Sequence, residues 1–187
     1  MIETNSIVPI CQGDILAIRG RGWLADGIVK AEYGKNPGLY SVSHVGLFLA
    51  QGDEHEIPVV IEALRKVTTN LLVESTRDAE HAYVLHDKSL ADWQRSSILE
   101  IACQFSTADY GYIDLGAQYL DATFKTSWWT NRLTGYLAHR PICSYVVSAA
   151  YAAVRLDFGV DDCSCKPSDI MSFALAHPEI YQVTQIK

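Results

Sequence analysis

The sequence predicts an α+β fold, an antiparallel sheet packed against helices, in a single domain over residues 1–187. Short apolar, strand-like runs fill the first half of the chain, and helical spacing of apolar residues takes over from Leu90 onward. Of the 187 residues, 49% are hydrophobic and 20% charged, a globular balance with enough apolar side chains for one core. Strands first and helices second place the helices on one face of an antiparallel sheet.

The elements follow in order. Asp14 to Ile18, behind Gly13, reads as a short buried strand. Gly20 to Gly38 is rich in glycine and charge and predicts a long loop, with a helical turn around Ala25 to Glu32. His44 to Ala50 is the second strand, closed by the turn signal Gln51-Gly52-Asp53-Glu54. Pro58 to Leu64 is a third strand, and the three form an antiparallel meander. Asn70 to Glu74 and Ala82 to Leu85 are shorter strand candidates. Ser89-Leu90-Ala91-Asp92 reads as a capping box. Leu90, Trp93, Ile98, Ile101 and Phe105 then recur at helical spacing. Further helices are expected over Ile113 to Phe124 and Thr130 to Ala138, from Cys143 after the break at Pro141, and from Pro167. Tyr181 to Ile186 predicts a last strand.

Composition narrows the function. A net charge of −7 and a pI near 5.3 argue against a phosphate-tracking nucleic-acid protein and against a polybasic membrane patch. No apolar stretch has the length of a membrane span, and the start, Met1-Ile2-Glu3-Thr4-Asn5-Ser6, lacks the pattern of a signal peptide. A cytoplasmic chain is expected. Five cysteines at irregular spacing do not form a disulfide framework. Cys163-Ser164-Cys165 is too tight for an easy mutual disulfide and lacks a second Cys/His pair at zinc-site spacing, so neither a metal nor another cofactor is expected.

Two distant segments carry the chemistry. Cys143 opens a helix-like run, where unpaired backbone N–H groups and the positive end of the helix dipole favour a thiolate and can hold an oxyanion. A small buried core residue is the plainer account of the same cysteine. His44 opens an apolar strand and precedes Gly46, and a glycine inside a strand marks a close approach by backbone or ligand. A strand-end histidine satisfied by a carbonyl would look the same. Glu62 lies in the otherwise apolar run Val59 to Leu64. It either accepts a hydrogen bond from His44, fixing its tautomer, or faces solvent with Ile61 and Ala63 turned inward.

The remaining signals are weaker. His139 reads as a loop residue lining a cleft. His55, His81, His86 and His177 sit at turns or element ends and show no metal-ligand spacing. Of the aromatics between Thr107 and Tyr136, one of Trp128 and Trp129 is a candidate to line a substrate groove or lie under a lid.

The ordered set Gly13-Asp14-Ile15-Leu16, Ser43-His44-Val45-Gly46-Leu47, Val60-Ile61-Glu62-Ala63, Cys143-Ser144 and Pro167-Ser168-Asp169-Ile170 resembles the circularly permuted papain-like hydrolases of the NlpC superfamily, the YiiX-like group. In that group the histidine strand precedes the cysteine helix. Tyr145 departs from the acidic residue that family members often carry after Cys-Ser. The resemblance implies Cys143 as nucleophile, His44 as base and Glu62 as the residue orienting it. It implies a cysteine hydrolase acting on a small peptide-like or acyl-amide substrate through a thiol acyl-enzyme, in the manner of a cell-wall peptide amidase, with no cofactor. Two alternatives stay open. One is an acyltransferase of the lecithin retinol acyltransferase-like type; the other is a binding module that kept the fold and lost turnover.

Overall fold

The computed structural model describes residues 10–49, 57–64, 66–106 and 142–187, with Cys163 described for its backbone alone. Six strands form one antiparallel sheet: β1 (Ile15–Gly20), β2 (His44–Phe48), β3 (Val59–Ala63), β4 (Val67–Leu71), β5 (Ala79–Asp87) and β6 (Tyr181–Gln185). Their spatial order is β4-β3-β2-β1-β5-β6. The predicted α+β class and the meander of the first three strands are both present. The expected helices over residues 113–124 and 130–138, together with Trp128, Trp129, His139 and His55, lie outside the described residues. Among the described residues, no helix is long and apolar enough to cross a membrane.

The period-2 alternation of strands sorts the core into two faces. Ile15, Ala17, Val45, Leu47, Ile61, Tyr83 and Leu85 point to one side. There they meet α3 (Asp92–Gln104), α4 (Cys143–Ala152) and α5 (Pro167–Ala176), which contribute Ile98, Val146, Val147, Ala150 and Ile170 to the same cluster. Leu16, Ile18, Phe48, Val60, Ala82 and Val84 point to the other side, where Ile10 and Leu72 pack. Burial on both faces is why β1 reads as a continuous apolar run instead of an alternating one.

Three expectations are corrected. The loop with a helical turn at Gly20–Gly38 is a three-turn helix, α1 (Trp23–Tyr33). Gly22 and Gly34, both at positive φ, bracket it, and Gly27 is carried inside the helix. The strand candidate Asn70–Glu74 is shifted. The strand itself ends at Leu71, and a single helical turn, α2 (Leu72–Ser75), follows. At α3 the N-cap is Ala91, and Ser89 instead bonds Asp87 through both its N–H and its hydroxyl. Gln94 Oε1 accepts the Ala91 N–H at 3.0 Å. Trp93 lies five residues before Ile98 and nine before Ala102, the buried positions of α3, and so falls on the opposite side of the helix, 65% exposed.

A buried ionic knot fixes the start of β1. Asp14, fully buried, accepts from Arg95 Nη1 at 2.9 Å, from the Cys11 N–H at 2.9 Å and from His86 Nδ1 at 2.9 and 3.0 Å. Arg95 also donates to the carbonyls of Gln12 and Asp87. On the other side of the turn, the Tyr151 hydroxyl of α4 donates to the Gly13 carbonyl at 2.9 Å. Cutting the guanidinium from a buried carboxylate leaves a charge with too few partners. Arg95→Ala is therefore expected to lower unfolding free energy by about 3 kcal/mol, and Tyr151→Phe by about 1 kcal/mol, both read by urea denaturation. An unchanged Arg95→Ala midpoint would show that the knot contributes nothing.

Candidate active site

The site forms at one end of the sheet, where β2 begins and α4 begins. Ser43 anchors the entry to β2: its N–H donates to the Ile18 carbonyl, and its Oγ accepts the Gly20 N–H at 3.1 Å. His44 is then the first residue of the strand, paired with Ile18 of β1. Cys143 is the first residue of α4, behind Ile142 in extended backbone conformation. Ile142 has no side-chain acceptor, so no side-chain cap neutralises the helix start where the sulfur sits. Ser144 and Ser148 hold this helix to the segment behind it, donating to the carbonyls of Cys165 and Asp162 at 2.6 and 3.1 Å.

Register decides the role of Glu62. It pairs with Gly46 across β2 and β3, so its side chain shares a face with that of His44, two residues earlier on β2. Any Cβ at Gly46 would fall 2.9 Å from the Ile61 carbonyl oxygen, 2.9 Å from Val60 Cγ1 and 3.1 Å from Glu62 Cβ. The missing side chain lets the carboxylate lie across the strand to His44. Glu62 Oε2 is 2.7 Å from His44 Nε2. Its other oxygen, Oε1, accepts from Asn70 Nδ2 at 2.8 Å and from Ser75 Oγ at 2.6 Å. Glu62 is thus buried and fully partnered, and the solvent-facing alternative is excluded.

With Nε2 taken, Nδ1 is the ring nitrogen left for Cys143, and the imidazole hydrogen-bonds the sulfur. The backbone N–H of Val45, the next residue on β2, also donates to it. Sequence thus brings Cys143, His44 and Glu62 together in one line, sulfur to ring to carboxylate.

The electrostatics follow from that line. Burial works against an ionised Cys143, but the His44 charge, its hydrogen bond and the Val45 N–H together lower the thiol pKa below its ordinary value. Burial also opposes a charged His44, and is outweighed by Cys143 and Glu62, which raise its pKa to about 10. Glu62, despite burial, is held down to about 2 by His44, Ser75 and Asn70. Cys11 and Cys165 move the opposite way, their thiols raised mainly by burial. The three shifts together favour a thiolate–imidazolium pair with an ionised carboxylate behind it.

Asn70, Ser75 and Glu32 are not found from the sequence. A buried carboxylate demands donors, and Asn70 on the neighbouring strand and Ser75 on the following turn supply them. Glu32, near the end of α1, accepts the Ser168 N–H at 3.1 Å, and burial pushes its carboxyl up to about 7. Its negative form opposes the Cys143 thiolate.

A second cluster of possible ligands, Cys11, Asp14 and His86, has donor atoms within 4.8 Å of one another. Cys11 and Asp14 are three residues apart, but His86 is distant in sequence and had carried no signal.

The fold and this line of residues define an α+β protein with a cysteine–histidine–carboxylate site. No family model and no curated protein matches the chain. Among solved structures, the metalloprotein yiiX from Escherichia coli O157:H7 (DUF1105) is similar in fold. It has a TM-score of 0.61 and 17% identity, covering 95% of this chain and 96% of that one.

Thiolate is the species that alkylates, so a depressed pKa keeps Cys143 reactive as pH falls. Iodoacetamide labelling of Cys143 is expected to reach half its maximal rate below the free-thiol value of about 8.5. In His44→Ala the midpoint moves up, because the stabilising cation is gone. Gly46→Ala is expected to displace the Glu62 carboxylate and to move the labelling profile in the same direction by a smaller amount. A wild-type midpoint at the free-thiol value would rule out the ion pair.

Proposed function

We propose that the chain is a cysteine hydrolase that cleaves an amide or ester through a thiol acyl-enzyme. The observation that carries this is the His44 ring, hydrogen-bonded to Cys143 on one side and to Glu62 at 2.7 Å on the other. The thiolate attacks the carbonyl carbon, and the oxyanion that forms is held by N–H groups at the start of α4. The His44 imidazolium gives its proton to the departing amine or alkoxide, leaving a thioester on Cys143. Neutral His44 then takes a proton from water, which attacks the thioester. The acid leaves, and thiolate and imidazolium are restored.

Three further points support this reading. His44 precedes Cys143 in the chain, the order of the permuted papain-like NlpC group. The yiiX likeness extends over nearly the whole chain, although fold alone assigns no chemistry. The residue orienting the ring is a carboxylate, where acyltransferases of the lecithin retinol acyltransferase-like type often use a second histidine.

Because yiiX is described as a metalloprotein, the donors here bear on whether this chain would hold a metal. The Cys11, Asp14 and His86 set does not fit one. Both Asp14 oxygens already accept hydrogen bonds, His86 Nδ1 is turned onto that carboxylate, and the Arg95 guanidinium 2.9 Å away would face the incoming cation. The reaction proposed here therefore takes no step through a metal.

A panel of chromogenic amides and esters tests the proposal. Cys143→Ala is expected to lose on the order of 10³-fold or more in kcat/KM, and Glu62→Gln about 10²-fold. Treatment with EDTA is expected to leave the rate unchanged. Equal processing by wild type and Cys143→Ala would end the hydrolase proposal.

A further inference from the structure

The end of α1 grips two sides of the cysteine site at once. Tyr33, its last residue, accepts the Val42 N–H on its hydroxyl at 3.2 Å, two residues before His44. Glu32, the residue before it, accepts the Ser168 N–H through Oε2 at 3.1 Å, and the Ser168 hydroxyl hydrogen-bonds it as well. Ser168 is the second residue of α5, so this N–H is one that the helix itself leaves unpaired. The neighbouring Lys166 N–H goes to Asp169 Oδ2 at 2.9 Å. Just before it, the Cys165 carbonyl accepts the Ser144 hydroxyl at 2.6 Å, and Ser144 follows Cys143 directly. The stretch from Cys165 to Ser168 therefore links the nucleophile's helix to Glu32. It brings the Glu32 carboxyl to the sulfur's side of the molecule, within electrostatic reach of Cys143.

No step of the proposed reaction uses this carboxyl. It is partly buried, which disfavours its charge yet leaves it in proton exchange with water. Burial, with Asp169 adding to it, pushes Glu32 up to about 7, against the Ser168 hydrogen bonds and the Lys166 ammonium. Among the described residues, the other titratable and charged groups around it are Tyr33 on its own helix, with Arg19 of β1 beyond, and Cys143 of α4, paired with His44 of β2. Two carboxyls thus bear on one sulfur. Glu62 stays ionised behind the ring, and Glu32 is the one whose charge can change.

We propose that Glu32 is a positioning residue of the cysteine site, acting through Cys143, and that its proton sets how strongly the sulfur attacks. Neutral Glu32 holds α1 to the start of α5 and leaves the thiolate to its pair with His44. Ionised Glu32 keeps those hydrogen bonds and adds a negative charge on the sulfur's side. Against the cost of burial, His44 and the Val45 N–H favour the ionised sulfur, so the added charge raises the energy of a thiolate already formed. A thiolate of higher proton affinity is the stronger nucleophile, by about threefold for each unit of thiol pKa at a Brønsted slope of roughly 0.4–0.5. The inference rests on Cys143 as a thiolate nucleophile. It goes beyond the hydrolase reading, because this proton takes no part in acyl transfer.

Two measurements test it. Iodoacetamide labelling of Cys143, followed by mass spectrometry across about pH 5 to 9, is expected in the wild type to reach one plateau and then to rise again by at least about twofold, centred near pH 7. Glu32→Gln keeps an acceptor for the Ser168 N–H and cannot ionise, so its profile is expected to stop at the first plateau. The second measurement is the reciprocal one: whatever Glu32 ionisation costs the thiolate, the thiolate costs Glu32. In protein labelled with 13C-glutamate, the Glu32 carboxyl signal, assigned by its loss in Glu32→Gln, is expected to titrate at least about 0.7 lower in pH in Cys143→Ala than in the wild type. A single-step wild-type profile, a second rise that persists in Glu32→Gln, or a Glu32 midpoint that does not move in Cys143→Ala would each overturn the proposal. None of these readings involves turnover, so their failure leaves the hydrolysis test standing, and a failed hydrolysis test leaves them standing in turn.

Discussion

The contact on which the rest of the site depends is the one between the Glu62 carboxylate and His44 Nε2. A buried glutamate is costly unless its charge is met, and this one is met by a cation and two neutral donors. Once the carboxylate is fixed, the ring has one orientation and one free nitrogen. That nitrogen can then hold a proton against a thiolate at the start of α4. Without Glu62, the ring would lose its fixed orientation and one of the two groups that offset burial in favour of the imidazolium, leaving Cys143 as the other.

Strand pairing supplies the geometry more than any loop does. The ring, its carboxylate and a donor to that carboxylate come from consecutive antiparallel strands: His44 from β2, Glu62 from β3 and Asn70 from β4. A one-residue slip in β3 would turn Glu62 to the opposite face and bring Ile61 or Ala63 in its place. The apolar face beneath, packed against α3, α4 and α5, penalises that slip over the whole strand. The hydrophobic core thus specifies the register that sets Glu62 beside His44.

The class of fold and the principal residues were legible in the sequence because each has a local signature. Cys143 starts an amphipathic run after a proline, and His44 starts an apolar strand. Glu62 was visible as an anomaly, but its direction was not, because parity depends on which residue of β2 it faces. Gly46 opposite Glu62 resolves it, and pairing is a tertiary fact. Asn70 and Ser75 were hidden because the strand ends at Leu71 and a helical turn follows, which carries Ser75 back over β3. The knot of Asp14 with His86 and Arg95 joins residues 72 and 81 positions apart in the chain. No short-range pattern encodes such a knot. At Trp93 the reading failed because Leu90, with which it was aligned, lies outside the helix, whose buried face is set by Ile98 and Ala102.

The two groups that hold the sulfur, the His44 ring and the Val45 N–H, belong to adjacent residues joined by a single peptide unit. A shift of the β2 backbone therefore carries both away from α4 together, withdrawing charge and donor in one movement. Since β2 is clamped on both sides by β1 and β3, such a shift draws the neighbouring strands with it, and the state of the thiol is tied to the pairing of the sheet.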